Sequence, residues 1–133
     1  MAHAVEGRAG ELIEGRNFAN VATIGEDGTP HAALAWIARD GDDVLLNSAE
    51  GRAWPGNLAR DPRVTITVPN AENPYEYVSI KGRATEITRD GADEHIDELS
   101  KKYLGQDEYP FRTPDEVRIR IRVEPESVRV WGG

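Results

Sequence analysis

The residues best suited to chemistry lie close together in EGRAWPGNLARDPRV (Glu50 to Val64), directly after the apolar run VLLNSA. Arg52 carries a fork of donors, Ser48 and Asn57 add neutral donors, and Trp54 adds a flat ring. Pro55 suits the first turn of a helix, where its missing N–H costs nothing. Because a helix N-terminus presents unpaired N–H groups and partial positive charge, a phosphate finds several partners here. Two readings stay open. In one, the stretch holds an anion against an aromatic platform formed by Trp54. In the other it is an ordinary strand-to-helix crossover, with Arg52 a surface charge, Asn57 a helix-turn residue and Trp54 a core or dimer anchor.

Other chemistry-bearing residues are more isolated. His31 follows Pro30 at a strand start and reads as a structural or substrate-side hydrogen-bonding residue rather than an acid/base catalyst. His95 sits in DEHIDE, where neighbouring carboxylates suggest a metal, but a solvated helix face is the plainer reading. Tyr75 and Tyr77 place an aromatic over a partner subunit's ligand or serve as ordinary loop and strand residues. Arg118, Arg120 and Arg122 alternate with apolar residues and read as a charged barrel face balancing an acidic chain. The sequence contains no Gly-rich phosphate loop, HExxH, GxSxG or paired-carboxylate arrangement.

The elements that must position these residues are mostly strands. Ala9, Leu12 and Ile13 set out a short amphipathic helix between Gly7 and Arg16. NFANVATIG and HAALAWIARD read as two strands around an Asp27-Gly28 turn, and a second turn at RDGDD leads into VLLNS, completing a three-strand meander. PGNLARD supplies about two helical turns before Pro62. VTITVPN is a strand, NPYEY a loop, and YVSIKGRATEIT a long strand whose Gly82 marks a bulge or sharp bend. RDGADEHIDELSKKYLG has helical apolar spacing, early acids, late lysines and a terminating Gly105. QDEYPFRTPDE is an irregular loop, followed by the alternating strand VRIRIRVEPESVRVW. Six or so strands with few helices indicate a small antiparallel β-barrel.

Composition bounds the function. At 133 residues the chain reads as one domain, 1–133, small for an enzyme that must enclose a substrate alone, so a site shared between two copies is expected. A net charge of −8 argues against nucleic-acid binding, since a phosphate backbone needs a basic face. No run approaches the roughly 18 to 20 apolar residues of a membrane span, and the N-terminal stretch has no apolar signal core, so a cytoplasmic protein without membrane partners is expected. The absence of cysteine removes disulfides, thiolate metal sites and cysteine nucleophiles.

The ordered segments NVATIGEDGTPHAALAWI, VLLNSAEGR, NLARDPRVTITV and NPYEYVSIKGRATEI resemble the flavin/deazaflavin split-barrel superfamily, typified by pyridoxamine 5′-phosphate oxidase. Within it the chain looks most like the oxidoreductases dependent on the deazaflavin coenzyme F-420, and the likeness runs over roughly residues 10 to 131. The resemblance implies a mainly β, six-stranded antiparallel split β-barrel of Greek-key type with a few short helices. It also implies a homodimer with two cofactor sites at the interface. Leu34, Ala35 and Trp36 would then run beside the flavin-like ring through backbone contacts, and the NSAEGRAWPGN loop would take the phosphate through Ser48, Ala49, Arg52 and Asn57, with Asn47, Trp54 and Tyr77 completing the site. The family's usual GR-x-K-x-x-N loop carries a lysine where Trp54 stands here, and often a further basic residue where Gly56 stands.

A resemblance of this kind implies that the cofactor carries the hard chemistry while the protein binds, orients and excludes water. The expected activity is hydride transfer from reduced F-420 to an electron-poor small molecule such as an enone, quinone or nitroaromatic, with the finishing proton from water or a hydroxyl such as Tyr77. An FMN-binding oxidoreductase of pyridoxamine-phosphate-oxidase type is the alternative; true pyridoxamine 5′-phosphate oxidase activity is not expected, because VRVWGG closes the sequence without that enzyme's substrate-binding arginine segment. A protein that binds a flavin, deazaflavin or tetrapyrrole without turnover is the third reading.

Overall fold

The computed structural model describes residues 5–132. Its elements are α1 (Gly7–Glu14), β1 (Ala19–Ile24), β2 (Pro30–Ala35), β3 (Ile37–Asp40), β4 (Asp43–Ala49), α2 (Ala53–Arg60), β5 (Arg63–Asn70), β6 (Asn73–Thr88), α3 (Ala92–Leu104) and β7 (Arg118–Trp131). The strands form one antiparallel sheet in the order β2-β1-β5-β6-β7-β4-β3. The β2 and β3 strands stand at opposite edges of this sheet, yet only Trp36 separates them in the chain. The sheet therefore curls until its edges meet at that residue.

The expected count of six strands becomes seven for this reason: HAALAWIARD is one apolar run but breaks at Trp36 into β2 and β3. The expected meander also gives way, because β2 pairs with β1 whereas β3 pairs with β4. NPYEY is not a loop but the start of β6, paired across to β5 through Tyr77 opposite Pro69. The β1–β2 turn closes through Gly28, at φ +87, with Thr29 N–H donating to Asp27 Oδ1 at 2.9 Å. Gly82 interrupts the register of β6 against β7, and a Cβ there would run into the Glu124 carbonyl.

Alternation along the strands sorts the core. On β4 and β7, Val44 opposite Val123 and Leu46 opposite Ile121 face the enclosed side, where they join Val21, Ile66 and Ile80. Each fully buried aliphatic side chain contributes about 1.5–3 kcal/mol by leaving water. The other face of β4 and β7 carries Leu45, Asn47 and Ala49 opposite Arg122, Arg120 and Arg118. Helix α3 lies on this second face, burying Ala92, His95, Ile96 and Leu99. It starts after Gly91 with Asp93 and Glu94 in its first turn and stops at Gly105, φ +72, with Lys101 and Lys102 in its last.

Two side chains near the end of α3 fasten it to the rest of the molecule. Lys102 Nζ donates to the carbonyls of Ile13 at 2.6 Å and Ile37 at 2.7 Å, and its burial lowers the ammonium pKa to about 8. Tyr103 Oη donates to the Asn17 carbonyl at 2.7 Å and accepts from Ile37 N–H at 3.2 Å, while burial pushes its phenol pKa up. The start of β3, just after Trp36, is thus pinned to α3.

Candidate functional site

Where the sheet edges meet, a cleft of about 290 Å³ opens. Its aromatic wall begins at Trp36, which stacks on Tyr103 with centroids 5.2 Å apart and meets Tyr109 edge-on at 5.9 Å. Phe18 stacks on the same Tyr103 at 5.7 Å, and Phe111 meets Tyr109 edge-on at 5.8 Å. Leu34 stands at the open rim, 72% exposed, whereas the Arg118 side chain in the floor is only 3% exposed.

The crossover read from the sequence forms as a strand-to-helix turn. β4 ends at Ala49, Gly51 takes φ +92, and Arg52 is the N-cap residue of α2. Among the described residues no side chain caps this helix and no acid stands in its first turn; Arg52 N–H donates to the Ala49 carbonyl and Pro55 has no N–H, so the Ala53 and Trp54 N–H groups are the ones left without a cap. Arg52 is half-exposed and borders both the aromatic cleft and a second groove of about 550 Å³ running between α2 and the end of β6. Gly51 and Gly56 line this groove, and a Cβ at Gly51 would meet nothing within 4 Å. Arg89 on its wall is paired with Glu50. Positive character there rests on Arg52, whose Nη2 lies 3.7 Å from Glu116 Oε2, and on the uncapped helix start.

Among the residues singled out from sequence, Leu34, Ala35, Trp36, Asn47, Arg52 and Trp54 all line the cleft. Of the two readings of Trp54, the core anchor is the one that holds: the residue is 6% exposed, and the first turn of α2 directs it into the core cluster, leaving its edge at the cleft. The others lie elsewhere. Asn57 is buried, its Nδ2 donating to Thr23 Oγ1 at 3.0 Å and its Oδ1 accepting from Arg60. Ser48 is fully buried and its Oγ has no partner among the described residues, and Ala49 is buried beside it in the strand. Tyr77 stacks on Trp131 at 6.3 Å, near the start of β6 and outside the cleft of its own chain. His31 is half-buried on the edge strand β2, and Tyr75 is exposed.

The helix-covered face of the sheet carries a polar network that sequence reasoning missed. Asn47 Nδ2 donates to the Ala92 carbonyl and to His95 Nδ1, both at 3.0 Å, and its Oδ1 accepts from Arg118 Nε at 2.9 Å. The amide orientation follows from those partners, and so does the imidazole tautomer: Nδ1 accepts, so Nε2 carries the hydrogen. His95 is 4% exposed rather than on a solvated helix face. Burial, with Arg120 and then Arg118 nearby, lowers its pKa to about 4, so the ring is neutral at pH 7. The arginine stripe is likewise no open barrel face. Arg118 lies under the α3 segment, with Nη1 donating to Glu116 Oε1 at 3.0 Å and its guanidinium 5.2 Å from the Tyr109 ring centroid. Arg122, bound to Asp40 and Asp43, and Arg120, 3.6 Å from Glu86, keep the character of surface pairs. The signal available in the sequence was the period-two alternation that puts Arg118 on the face of Asn47; what covers that face was not readable.

The arrangement is an aromatic slot with two guanidiniums and an uncapped helix start, able to hold a flat molecule bearing an anionic group. Among the described residues that line it, no nucleophile stands beside a base. No helix among the described residues is long and apolar enough to cross a membrane.

Known structures place this geometry in context. The chain is similar to an F-420 reductase, with 26% identity, TM-score 0.78, and coverage of 90% of this chain and 94% of the other. It resembles in fold a conserved hypothetical protein from Mycobacterium tuberculosis at 23% identity, TM-score 0.74, covering 98% and 86%. General Stress Protein 26 from Bacillus anthracis matches at 16% identity, TM-score 0.65, covering 91% and 88%. No curated protein matches the sequence. The family model described as pyridoxamine 5′-phosphate oxidase matches residues 5–132, and the chain belongs to that family.

Proposed function

We propose that this protein binds the deazaflavin coenzyme F-420 and uses its reduced form to pass hydride to an electron-poor small molecule of enone, quinone or nitroaromatic type. The observation that carries the reading is the position of Arg52, at the start of an uncapped helix and at the junction of an aromatic cleft with an open groove. A planar ring suits the cleft, and an anionic linkage suits Arg52 and the α2 N–H groups. The groove favours F-420 over FMN, because F-420 carries an internal phosphodiester and a long acidic tail, whereas FMN ends at one phosphate. The similar F-420 reductase supports the same choice.

When bound, the reduced deazaflavin supplies a hydride from its central ring carbon. The chain's part is to bind, orient and keep water out. Leu34, Ala35 and Trp36 offer one side of the ring an edge of backbone and indole, and Tyr103 fixes that edge by holding both Trp36 and the Ile37 N–H. Arg52 takes the anionic linkage. Trp54 replaces a cation with apolar area, so affinity leans on ring contacts and on this one arginine.

A homodimer completes this reading. Phe18, Leu34 and Phe111 leave an apolar rim around the cleft, and Tyr75 and Trp131 are also exposed. A second copy would cover such surfaces, and Tyr77 of the partner subunit, not the chain's own, would then reach the ring. Arg52→Ala tests the assignment. The dissociation constant for F-420 should rise at least about tenfold, the loss of one charge-assisted contact, with the oligomeric state unchanged by light scattering. An unchanged constant would remove Arg52 from the phosphate site. Tight binding of reduced F-420 without oxidation by any acceptor in a broad panel would make the protein a carrier rather than a reductase.

A further inference from the structure

Arg118 has no task in the reading above, yet it is the most constrained charge bordering the cleft. Its Nε is held by Asn47 and its Nη1 by Glu116, and Tyr109 lies against the guanidinium. Its Nη2 donates to nothing among the described residues. Ser48 Oγ, His95 Nε2 and Arg120 Nε are sealed from solvent without partners, but Nη2 is not sealed, and the cleft is the space that Arg118 borders. A buried, oriented guanidinium with one donor left open is a built recognition group for an oxygen anion.

The charges bordering the cleft favour an anionic ligand. Arg52 and Arg118 both line it, and one carboxylate serves both: Glu116 Oε1 lies 3.0 Å from Arg118 Nη1, and Glu116 Oε2 lies 3.7 Å from Arg52 Nη2. Two guanidiniums against one carboxylate leave a single positive charge before any cofactor binds, and with a cofactor's anionic linkage on Arg52 the open donor of Arg118 is what remains, beside Trp36, Tyr109 and Phe111. We propose that the floor of the cleft is the substrate's recognition site and that the substrate is a flat, apolar, monoanionic molecule. Its carboxylate-type oxygens sit on Arg118 Nη2 and its body lies against Tyr109 and Phe111, leaving the Leu34–Trp36 edge to the cofactor ring. Asn47 and Glu116 act as positioning residues by holding the guanidinium fork in place before the ligand arrives. This deepens the proposed function, on which it rests for the word substrate; the anion site itself stands on Arg118.

The test uses 2-naphthoate and its neutral counterpart 2-naphthamide, titrated calorimetrically into the whole protein with and without F-420. Wild type should bind the naphthoate at least about tenfold more tightly than the amide. Arg118→Gln should abolish that preference while retaining F-420 binding. Glu116→Gln, which leaves Arg118 in place and removes the competing carboxylate, should tighten naphthoate about fivefold and leave the amide unchanged, and it decides the matter if Arg118→Gln fails to fold. Equal affinity for the two probes in wild type, a preference that survives Arg118→Gln, or an unaltered naphthoate affinity in Glu116→Gln would each overturn the proposal. If Arg118→Gln loses F-420 as well, Arg118 serves the cofactor and the substrate assignment falls. If wild type binds neither F-420 nor FMN but shows the naphthoate preference through Arg118, the anion site stands and the cofactor reading alone fails.

Discussion

His95 should make the protein acid-sensitive in a way that one substitution removes. Its neutral ring accepts from Asn47 under α3, with a folded pKa of about 4 against 6.5 unfolded. Between those values the unfolded chain binds a proton that the folded chain refuses, so stability falls as pH falls from 6.5 to 4 and is unaffected by this group above that range. The difference of 2.5 units, 6.5 minus 4, is worth about 3 kcal/mol in full at 1.36 kcal/mol per unit, of which about 2 kcal/mol is lost by pH 5. The assay is urea unfolding at pH 7 and pH 5, at one protein concentration, for wild type and His95→Gln, whose amide oxygen can accept from Asn47 without titrating. Subtracting the two pH dependences cancels the carboxylates common to both. Wild type should lose about 2 kcal/mol more than the variant. Parallel losses would mean that His95 is accessible to protons in the folded state, and the buried network around Asn47 would be wrong.

Other consequences follow from single contacts. Gly82→Ala should cost about 1–3 kcal/mol, because the added Cβ meets the Glu124 carbonyl across the β6–β7 bulge; a melting temperature equal to wild type would show that the bulge relaxes freely. Lys102, lowered by burial to about 8 from 10.5, favours the folded state progressively more as pH rises from 8 to 10.5, since there the unfolded chain holds the extra proton. Comparing wild type with Lys102→Met should reveal that rise in wild type only, and the same alkaline slope in both would contradict it. Asn47→Ala strands Arg118 Nε and the Ala92 carbonyl together, and should cost about 2–4 kcal/mol in urea unfolding. A cost under about 0.5 kcal/mol would show that these groups find other partners.

The strand-to-helix crossover was legible because its signals are local. A Pro55 that tolerates the first helical turn, directly after an apolar strand run, points to a helix start without reference to the rest of the chain. Gly82 was legible for the same reason, as a residue whose place in a strand has a backbone cause. Contacts across the fold were not. Alternation assigned Arg118, Arg120 and Arg122 to one face but carried no information about α3 lying over it, so a buried guanidinium was read as surface charge. The same limit applies to His95, whose acidic neighbours in sequence point away while its ring turns to Asn47, 48 positions earlier. Trp36 breaks one apolar run into strands at opposite edges, a consequence of the sheet curling that no window of sequence contains. Asn57, chosen as an anion ligand for its amide, is committed to Thr23 and Arg60.

The central claim is that the cleft and groove joined by Arg52 hold a deazaflavin. Trp36 and Trp54 both line the cleft, so their fluorescence reports its filling, and titration of the protein with F-420 and separately with FMN tests the claim directly. The account predicts saturable quenching by F-420 at a dissociation constant at least about tenfold below that for FMN, since the groove beyond Arg52 has room for a tail that FMN lacks. Tighter binding of FMN, or quenching by neither, would contradict it.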